Sequence, residues 1–130
     1  MLEKIRSLSL EQKIGQLFVI GLPGVELDES ARQFLTEIPA GGVCLFTRNI
    51  REAAQTRQLI DDLRDFLPIE PILSLDQEGG LVDRLRRVIT PINSASSMKT
   101  AENTKKLAEN TAEVIRIFGF NTNYAPVVDV

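Results

Sequence analysis

The chain has 130 residues, of which 43% are hydrophobic and 25% charged, a composition that predicts one globular domain rather than a disordered segment. Its 15 Lys and Arg residues against 18 Asp and Glu residues give a net charge of −3, which excludes the basic surplus typical of nucleic-acid binders. The sequence holds no histidine and one cysteine. Histidine-dependent triads, the usual zinc sites and an internal disulfide are therefore excluded. We expect neither metal nor cofactor, so any catalysis would depend on carboxylates.

The start of the chain lacks the pattern of a signal peptide or a membrane anchor. Residues 1–6 lead directly into a charged helical pattern, without the apolar core of a signal peptide. The longest apolar run, residues 17–22, is too short to span a bilayer. These features predict a cytoplasmic protein that has no membrane partner.

The first two elements follow from a cap and an apolar run. Ser9 and Gln12 have the spacing of a capping box, which predicts a short helix that ends near Gly15. Residues 17–20 are all apolar and are followed by a Gly-Leu-Pro-Gly breaker. A short apolar run with such a boundary is typical of a fully buried strand.

The next stretch predicts a helix, a strand, a second helix and another strand. Asp28 begins the first helix and Asn49 caps the second, while residues 43–46 and 72–75 form the two strands. The apolar faces of the two helices consist of Ala31, Phe34, Leu35 and Ile38, and of Ala53, Ile60, Leu63 and Leu67.

The last elements predicted are a helix over residues 102–118, a C-cap at Gly119 and a strand over residues 122–127. Strands that alternate with helices indicate βα units around a parallel sheet. Four strands are too few for a complete (β/α)₈ barrel, which needs about 250 residues. The alternatives are a small open sheet or part of a barrel, and the lack of a helix after the last strand favours a truncated barrel domain over residues 1–130.

The densest polar segment, residues 76–80 (Asp-Gln-Glu-Gly-Gly), directly follows the third predicted strand. Loops at the carboxyl ends of parallel strands form the binding sites of α/β folds. Two carboxylates and an amide could hold the hydroxyls of a polyol, and the glycines would permit close approach of the backbone. The alternative interpretation is a solvated turn.

Other polar residues occupy comparable positions. Arg84, with Arg86 and Arg87, could donate to a sugar hydroxyl or a carboxylate, although the arginines could equally form a surface basic run. Asp129 ends the last strand, where it could bind a ligand or cap a following helix. The segment Thr47-Arg48-Asn49 could line the same face.

Two further features favour structure over chemistry. Cys44 lies in an apolar strand, which favours a small core residue over a nucleophile. Gly21 and Gly24 lack the Lys-Ser/Thr of a Walker motif and the third glycine of a dinucleotide fingerprint.

The segment Ser-Leu-Asp-Gln-Glu-Gly-Gly-Leu-Val-Asp-Arg, residues 74–84, resembles the substrate-binding loop of family 3 glycoside hydrolases. Its Asp-Gln-Glu-Gly-Gly form is most similar to the family's bacterial β-N-acetylglucosaminidases (β-N-acetylhexosaminidases), since its β-glucosidases usually carry a different loop with a histidine. Residues 14–18, 42–49 and 123–130 resemble further family segments in the same order. The resemblance therefore covers nearly the whole chain.

The resemblance implies a partial (β/α)₈ barrel, about its first four β/α units, from an enzyme that hydrolyses terminal β-linked N-acetylhexosamine, in bacteria often from cell-wall fragments. It implies that Asp76 and Arg84 bind the sugar in the −1 subsite, and that Asp129 lies close by. The family's nucleophile and its His-Asp acid/base would follow Val130, so no catalytic residue is expected in this chain. Leu81 stands where the family usually has arginine. This difference bears on how the loop packs or on a contact in an outer part of the site, and not on the family assignment.

Three alternatives to this function remain. The chain could be a non-catalytic fragment that binds a small carbohydrate weakly, or part of another family 3 β-glycosidase such as a β-glucosidase. A small open α/β binding domain is a third possibility. A half-barrel would leave a sheet edge unpaired, so we also expect the isolated chain to self-associate.

Overall fold

A computed structural model describes residues 5–128. The helices are α1 (Leu10–Gly15), α2 (Glu29–Glu37), α3 (Ala53–Phe66) and α4 (Ala101–Phe118), and the strands are β1 (Val19–Gly21), β2 (Gly42–Cys44), β3 (Ile72–Leu75), β4 (Gln77–Gly79), β5 (Val82–Asp83) and β6 (Thr122–Asn123). Short 3₁₀ turns cover Thr47–Asn49 and Ala95–Ser97. No helix within these residues is long and apolar enough to cross a membrane.

The described strands form a parallel sheet and a separate hairpin. The parallel sheet has four strands in the order β1-β2-β3-β6, and Val43 of β2 pairs with Ile20 of β1 and with Leu73 of β3. Strand β4 pairs antiparallel with β5, with an irregularity in register between Gln77 and Gly79. Because the four parallel strands run the same way, their carboxyl ends meet at one edge of the sheet.

The helices begin where local hydrogen bonds satisfy their first amide groups. Gln12 N–H donates to Ser9 Oγ at 3.2 Å, while Ser9 N–H donates to the Gln12 side chain at 3.0 Å, which confirms the predicted capping box. Asp28 Oδ1 accepts from Ala31 N–H at 2.8 Å, which confirms the predicted start of α2. These contacts satisfy amide groups that no helical carbonyl reaches.

The prediction that Asn49 caps a helix is wrong. Helix α3 begins at Ala53, and Asn49 is fully buried in the preceding 3₁₀ turn. Its Nδ2 donates to Leu22 O at 3.0 Å and to Gly24 O at 2.6 Å, and its Oδ1 accepts from Phe46 N–H at 2.9 Å. Asn49 thus ties the segment after β2 to the segment after β1.

The first predicted strand is shifted and is not buried. Strand β1 covers Val19–Gly21 instead of residues 17–20, and Leu17 and Phe18 are 82% and 52% exposed. The reason is topological, because β1 is an outer strand of the described sheet.

The predicted apolar face of α2 is only partly confirmed. Ala31 and Leu35 are buried, whereas Phe34 and Ile38 are exposed.

The core lies between the parallel sheet and its helices. Its fully buried side chains include Val43 and Leu73 from the sheet, and Leu59, Ile60 and Leu63 from α3. The predicted stripe of α3 is therefore largely confirmed, except that Ala53 is exposed.

Helix α4 ends at the predicted glycine. Gly119 has a φ of +97°, which glycine adopts without steric cost. Arg64 Nη2 donates to Gly119 O at 2.7 Å, and Arg57 Nη1 donates to Ile117 O at 3.2 Å. The two guanidinium groups thus satisfy carbonyls at the end of α4 and join it to α3. The following strand β6 covers Thr122–Asn123, less than the residues 122–127 that the sequence predicts.

Candidate functional site

The candidate site lies at the carboxyl edge of the parallel sheet. Asp76 directly follows β3, and the β4–β5 hairpin brings the chain back so that Arg84 follows β5. Arg84 Nη2 donates to Asp76 Oδ2 at 2.7 Å. The structure therefore joins two of the residues that the sequence analysis selected for sugar binding.

The pair is only partly shielded from solvent. The side chains of Asp76 and Arg84 are 26% and 24% exposed, so each retains surface that a ligand can reach. The Arg84 Nε atom is buried and has no hydrogen-bond partner among residues 5–128. A carboxylate that accepts hydrogen bonds beside a guanidinium that donates them can bind the adjacent hydroxyls of a sugar.

A phenyl ring from the segment after β2 supports the arginine. The guanidinium carbon of Arg84 lies 5.3 Å from the centre of the Phe46 ring, and that of Arg48 lies 4.7 Å from the same centre. These distances are within the range of cation–π attraction. Arg48 is anchored further by its Nε, which donates to Leu22 O at 2.9 Å. Arg48, proposed from sequence to line this face, thus lies at the same edge.

A buried polar group holds the hairpin on the sheet. Gln77 and Asp83 are each 2% exposed, and Gln77 Nε2 donates to Asp83 Oδ1 at 2.7 Å. Gln77 N–H donates to Asn123 Oδ1 at 2.9 Å, and Asn123 Nδ2 donates to Gln77 O at 3.2 Å. The contacts join the hairpin to β6, the neighbour of β3.

The two glycines of the hairpin serve packing and turn geometry. Gly79 and Gly80 have φ values of +83° and +62°, and a Cβ on Gly79 would lie 2.2 Å from Asn93 O. The close backbone approach is therefore to the chain's own residues 92–94. Leu81, at the hairpin tip, is 96% exposed, so it is free of loop packing.

The other acidic and basic candidates lie apart from this pair. Glu78 lines a groove of about 480 Å³ between the hairpin, α4 and residues 123–127. Arg86 and Arg87 are exposed, as the surface interpretation predicts. Asp129 lies outside the described residues.

Cys44 is a half-buried free thiol at the end of β2. Burial raises the pKa of this thiol, hydrogen bonding with Ser74 opposes the shift, and the Asp76 carboxylate adds to it. A raised pKa keeps the sulfur protonated at neutral pH, which makes it a poor nucleophile. Among residues 5–128, no three Cys, Asp or Glu side chains form a group that could hold a metal ion.

The family follows from comparison with known proteins. Residues 9–130 match the model of the glycosyl hydrolase family 3 N terminal domain. The chain belongs to glycosyl hydrolase family 3. It is 32% identical over 116 residues to the β-hexosaminidase of Pseudomonas aeruginosa strain LESB58, and 30% identical over 123 residues to that of Xanthomonas campestris pv. campestris strain B100. These matches cover 86% and 88% of this chain but 35% and 37% of those relatives.

Solved structures of family 3 share the fold. A β-N-acetylglucosaminidase from Paenibacillus sp. str. FPU-7 superimposes with a TM-score of 0.87 at 34% identity, covering 95% of this chain and 25% of that one. A β-N-acetylhexosaminidase from Beutenbergia cavernae superimposes with a TM-score of 0.80 at 27% identity, covering 95% and 39%. The predicted fold, part of a (β/α)₈ barrel with a parallel sheet, is confirmed.

Sequence reasoning missed the hydrogen-bonded trio of Gln77, Asp83 and Asn123, of which Gln77 and Asp83 are buried. One signal was available, because the period of two in β4 places Gln77 and Gly79 on one face and Glu78 on the other. The pairing of Gln77 with Asp83 across the hairpin depends on a register irregularity that no local pattern predicts.

Proposed function

We propose that this family 3 chain is part of a glycoside hydrolase that cleaves terminal β-linked N-acetylhexosamine. The observation that carries the proposal is the Asp76–Arg84 pair, with 2.7 Å between Nη2 and Oδ2 at the carboxyl edge of the sheet. Its support comes from family membership and from the β-hexosaminidase relatives. The hexosaminidase activity is that of relatives of which this chain spans about a third of the length.

In this proposal the pair binds the sugar and takes no part in bond cleavage. Asp76 accepts hydrogen bonds from two hydroxyl groups, while Arg84 holds the carboxylate and donates to the sugar. A retaining glycosidase needs two carboxyl groups about 5–5.5 Å apart on either side of the glycosidic bond. Asp76 has a guanidinium partner instead, which suits a binding residue. We propose that the nucleophile and the acid/base lie outside these 130 residues.

A chimera tests this function. The matching third of the Pseudomonas aeruginosa β-hexosaminidase would be replaced by this chain, and hydrolysis of a chromogenic N-acetylglucosaminide would be measured. We expect the chimera to be active and this chain alone to be inactive. A stable, folded chimera that hydrolyses a β-glucoside but no N-acetylglucosaminide would instead favour a β-glucosidase.

The role of Asp76 is tested in the same chimera by comparing Asp76→Ala with Glu78→Ala. Loss of a hydrogen bond between a charged group and a hydroxyl costs about 1.5–3 kcal/mol, and two such bonds are at stake. We expect Asp76→Ala to lower kcat/KM by about two orders of magnitude or more. Glu78→Ala is the matched control, because Glu78 is a neighbouring acid that lines a groove to which Asp76 and Arg84 do not contribute. Equal and small effects of the two substitutions would refute the binding role of Asp76.

We also propose that the protein acts in the cytoplasm on N-acetylglucosaminides derived from cell-wall fragments. The cell-wall substrate follows from the resemblance of residues 74–84 to the family's bacterial β-N-acetylglucosaminidases, and the location is the expectation stated in the sequence analysis. Cell fractionation with an antibody against the chain tests it, and recovery of the protein outside the cytoplasmic fraction would contradict it.

We further propose that the 130-residue chain self-associates through the two outer strands of its sheet. Strands β1 and β6 occupy the outer positions of the described sheet, and apolar side chains beside them are exposed, including Leu17 (82%) and Val127 (59%). Both strands run in the same direction. Pairing β6 of one copy with β1 of another would therefore extend the sheet toward the eight strands of a complete barrel.

A further inference from the structure

The hydrogen-bonded trio of Gln77, Asp83 and Asn123, of which Gln77 and Asp83 are buried, has a fixed pattern of donors and acceptors. Leu85 N–H donates to Gln77 Oε1 at 3.1 Å, so the amide nitrogen of Gln77 faces Asp83. The two oxygens of Asp83 then accept from different groups, Oδ1 from Gln77 Nε2 at 2.7 Å and Oδ2 from Ile92 N–H at 2.9 Å. Position 83 therefore requires a side chain whose two terminal atoms are both hydrogen-bond acceptors.

A carboxylate meets this requirement, and an amide of the same shape does not. Asparagine at position 83 would place an NH₂ group against either Gln77 Nε2 or Ile92 N–H, both of which are donors. Exchanging the positions of the Gln77 amide oxygen and nitrogen would not remove the conflict. The Gln77 NH₂ group would then face Leu85 N–H, which is also a donor. The side chains of Gln77 and Asp83 are almost completely buried, so water cannot readily replace a lost partner.

This trio is located directly beside the sugar-binding pair. Gln77 follows Asp76, Asp83 precedes Arg84, and both backbone positions belong to the hairpin that brings the pair together. Asn123 fixes the same hairpin to β6 through both its amide atoms. Any shift of Gln77 relative to Asp83 therefore changes the position of Asp76 relative to Arg84.

We propose that Gln77 and Asp83 are positioning residues, whose single donor–acceptor arrangement sets the geometry of the Asp76–Arg84 pair for sugar binding. This inference deepens the proposed function and rests on it for the identity of the ligand. Neither residue contacts the sugar. Their effect is transmitted through the backbone of the hairpin and through Arg84.

The test uses the 130-residue chain with four variants: Asp83→Asn, Gln77→Glu, the double variant that carries both substitutions, and Asp28→Ala. In the double variant the glutamate accepts from Leu85 N–H and from the new asparagine, whose oxygen accepts from Ile92 N–H. The double variant thus restores every hydrogen bond with the direction of the central one reversed. Asp28→Ala is the control for lost stability, because Asp28 caps α2 and takes part in none of the hydrogen bonds of the trio.

Two measurements are made on each variant: the Kd for N-acetylglucosamine by NMR titration, and the ¹⁵N–¹H signal of the buried Arg84 Nε–H group. We expect Asp83→Asn and Gln77→Glu each to weaken binding about tenfold or more and to shift the Arg84 signal. We expect the double variant to return to within about threefold of the parent chain, with the Arg84 signal restored. Asp28→Ala should change neither measurement.

The outcomes separate this inference from the proposed function. If the parent chain binds no sugar, the Arg84 signal alone decides whether Gln77 and Asp83 position the arginine, and the chimera described above decides the identity of the ligand. Unchanged Arg84 signals in both single variants would overturn the inference. A folded double variant that stays as defective as Asp83→Asn would also overturn it, because the donor–acceptor pattern would then not be what matters. If the single variants unfold, a folded double variant can still be compared with the parent chain in both measurements.

Discussion

At the scale of single residues, Asp76 and Arg84 are eight positions apart in the chain, yet their charged groups are in contact. The contact exists because the intervening hairpin reverses the chain through Gly79 and Gly80, whose positive φ values suit glycine. Arg84 also lies over the Phe46 ring, which further restricts its guanidinium group. Contacts with Asp76 and with the Phe46 ring thus hold the Arg84 guanidinium group in place.

Cys44 provides a test of the electrostatics at this site. Because burial and the Asp76 carboxylate raise the pKa of its thiol, the thiolate forms at higher pH in the folded chain than in the unfolded chain. We expect the rate of alkylation by iodoacetamide to rise with pH along a curve displaced upward from the curve measured in urea. Asp76→Asn should move the folded curve back toward lower pH. A folded curve at or below the pH of the unfolded one would contradict this prediction.

At the scale of elements, side-chain hydrogen bonds accompany the start of each of the first three described helices. Helices α1 and α2 start after Ser9 and Asp28, whose oxygens accept from the third helical amide. Helix α3 starts at Ala53, and the Gln55 side chain accepts from Arg51 N–H at 3.1 Å. A local cap predicted the first two starts, whereas Asn49 failed as a cap because its amide bonds to the segment after β1.

The cap of α2 gives a measurable contribution to stability. Asp28→Ala removes the hydrogen bond to Ala31 N–H and the favourable charge at the helix N-terminus. We expect a loss of about 1 kcal/mol in the free energy of unfolding, measured by urea denaturation. Asp28→Ser, which retains an oxygen acceptor, should lose less than half of this. An Asp28→Ala chain as stable as its parent would show that the cap contributes nothing in this context.

At the scale of the whole molecule, the described sheet has two outer strands with apolar surroundings. Leu17 and Phe18 precede β1 and are 82% and 52% exposed, while Val127 and Val128 follow β6 and are 59% and 79% exposed. Surfaces of this kind in a family 3 barrel segment are suited to contact with further βα units or with a second copy of the chain.

Self-association is tested by sedimentation of the parent chain and of Leu17→Lys over a range of concentrations. A lysine beside an outer strand opposes pairing with another chain, because its charge would have to be desolvated. We expect the parent chain to form dimers or larger species as concentration rises, and Leu17→Lys to remain monomeric over more of that range. Gln33→Lys, on the exposed face of α2, is the matched control and should behave like the parent. A parent chain that is monomeric at every concentration would contradict the proposal.

The sequence by itself determined the order and type of the main helices and strands, the caps at Ser9, Asp28 and Gly119, and the two residues of the Asp76–Arg84 pair. Caps and apolar periodicity depend on residues within one or two turns, so a local pattern is sufficient. The family motif then selected the polar residues at the carboxyl ends of strands, where α/β folds place their sites.

Only the tertiary structure decided which of these residues meet and which surfaces remain exposed. The exposure of Leu17 depends on β1 being an outer strand, and the burial of Asn49 depends on a segment 25–27 residues away. The Gln77–Asp83–Asn123 trio joins a hairpin to a strand 46 positions further along the chain. Such contacts depend on how separate elements pack, and no local pattern in the sequence specifies that packing.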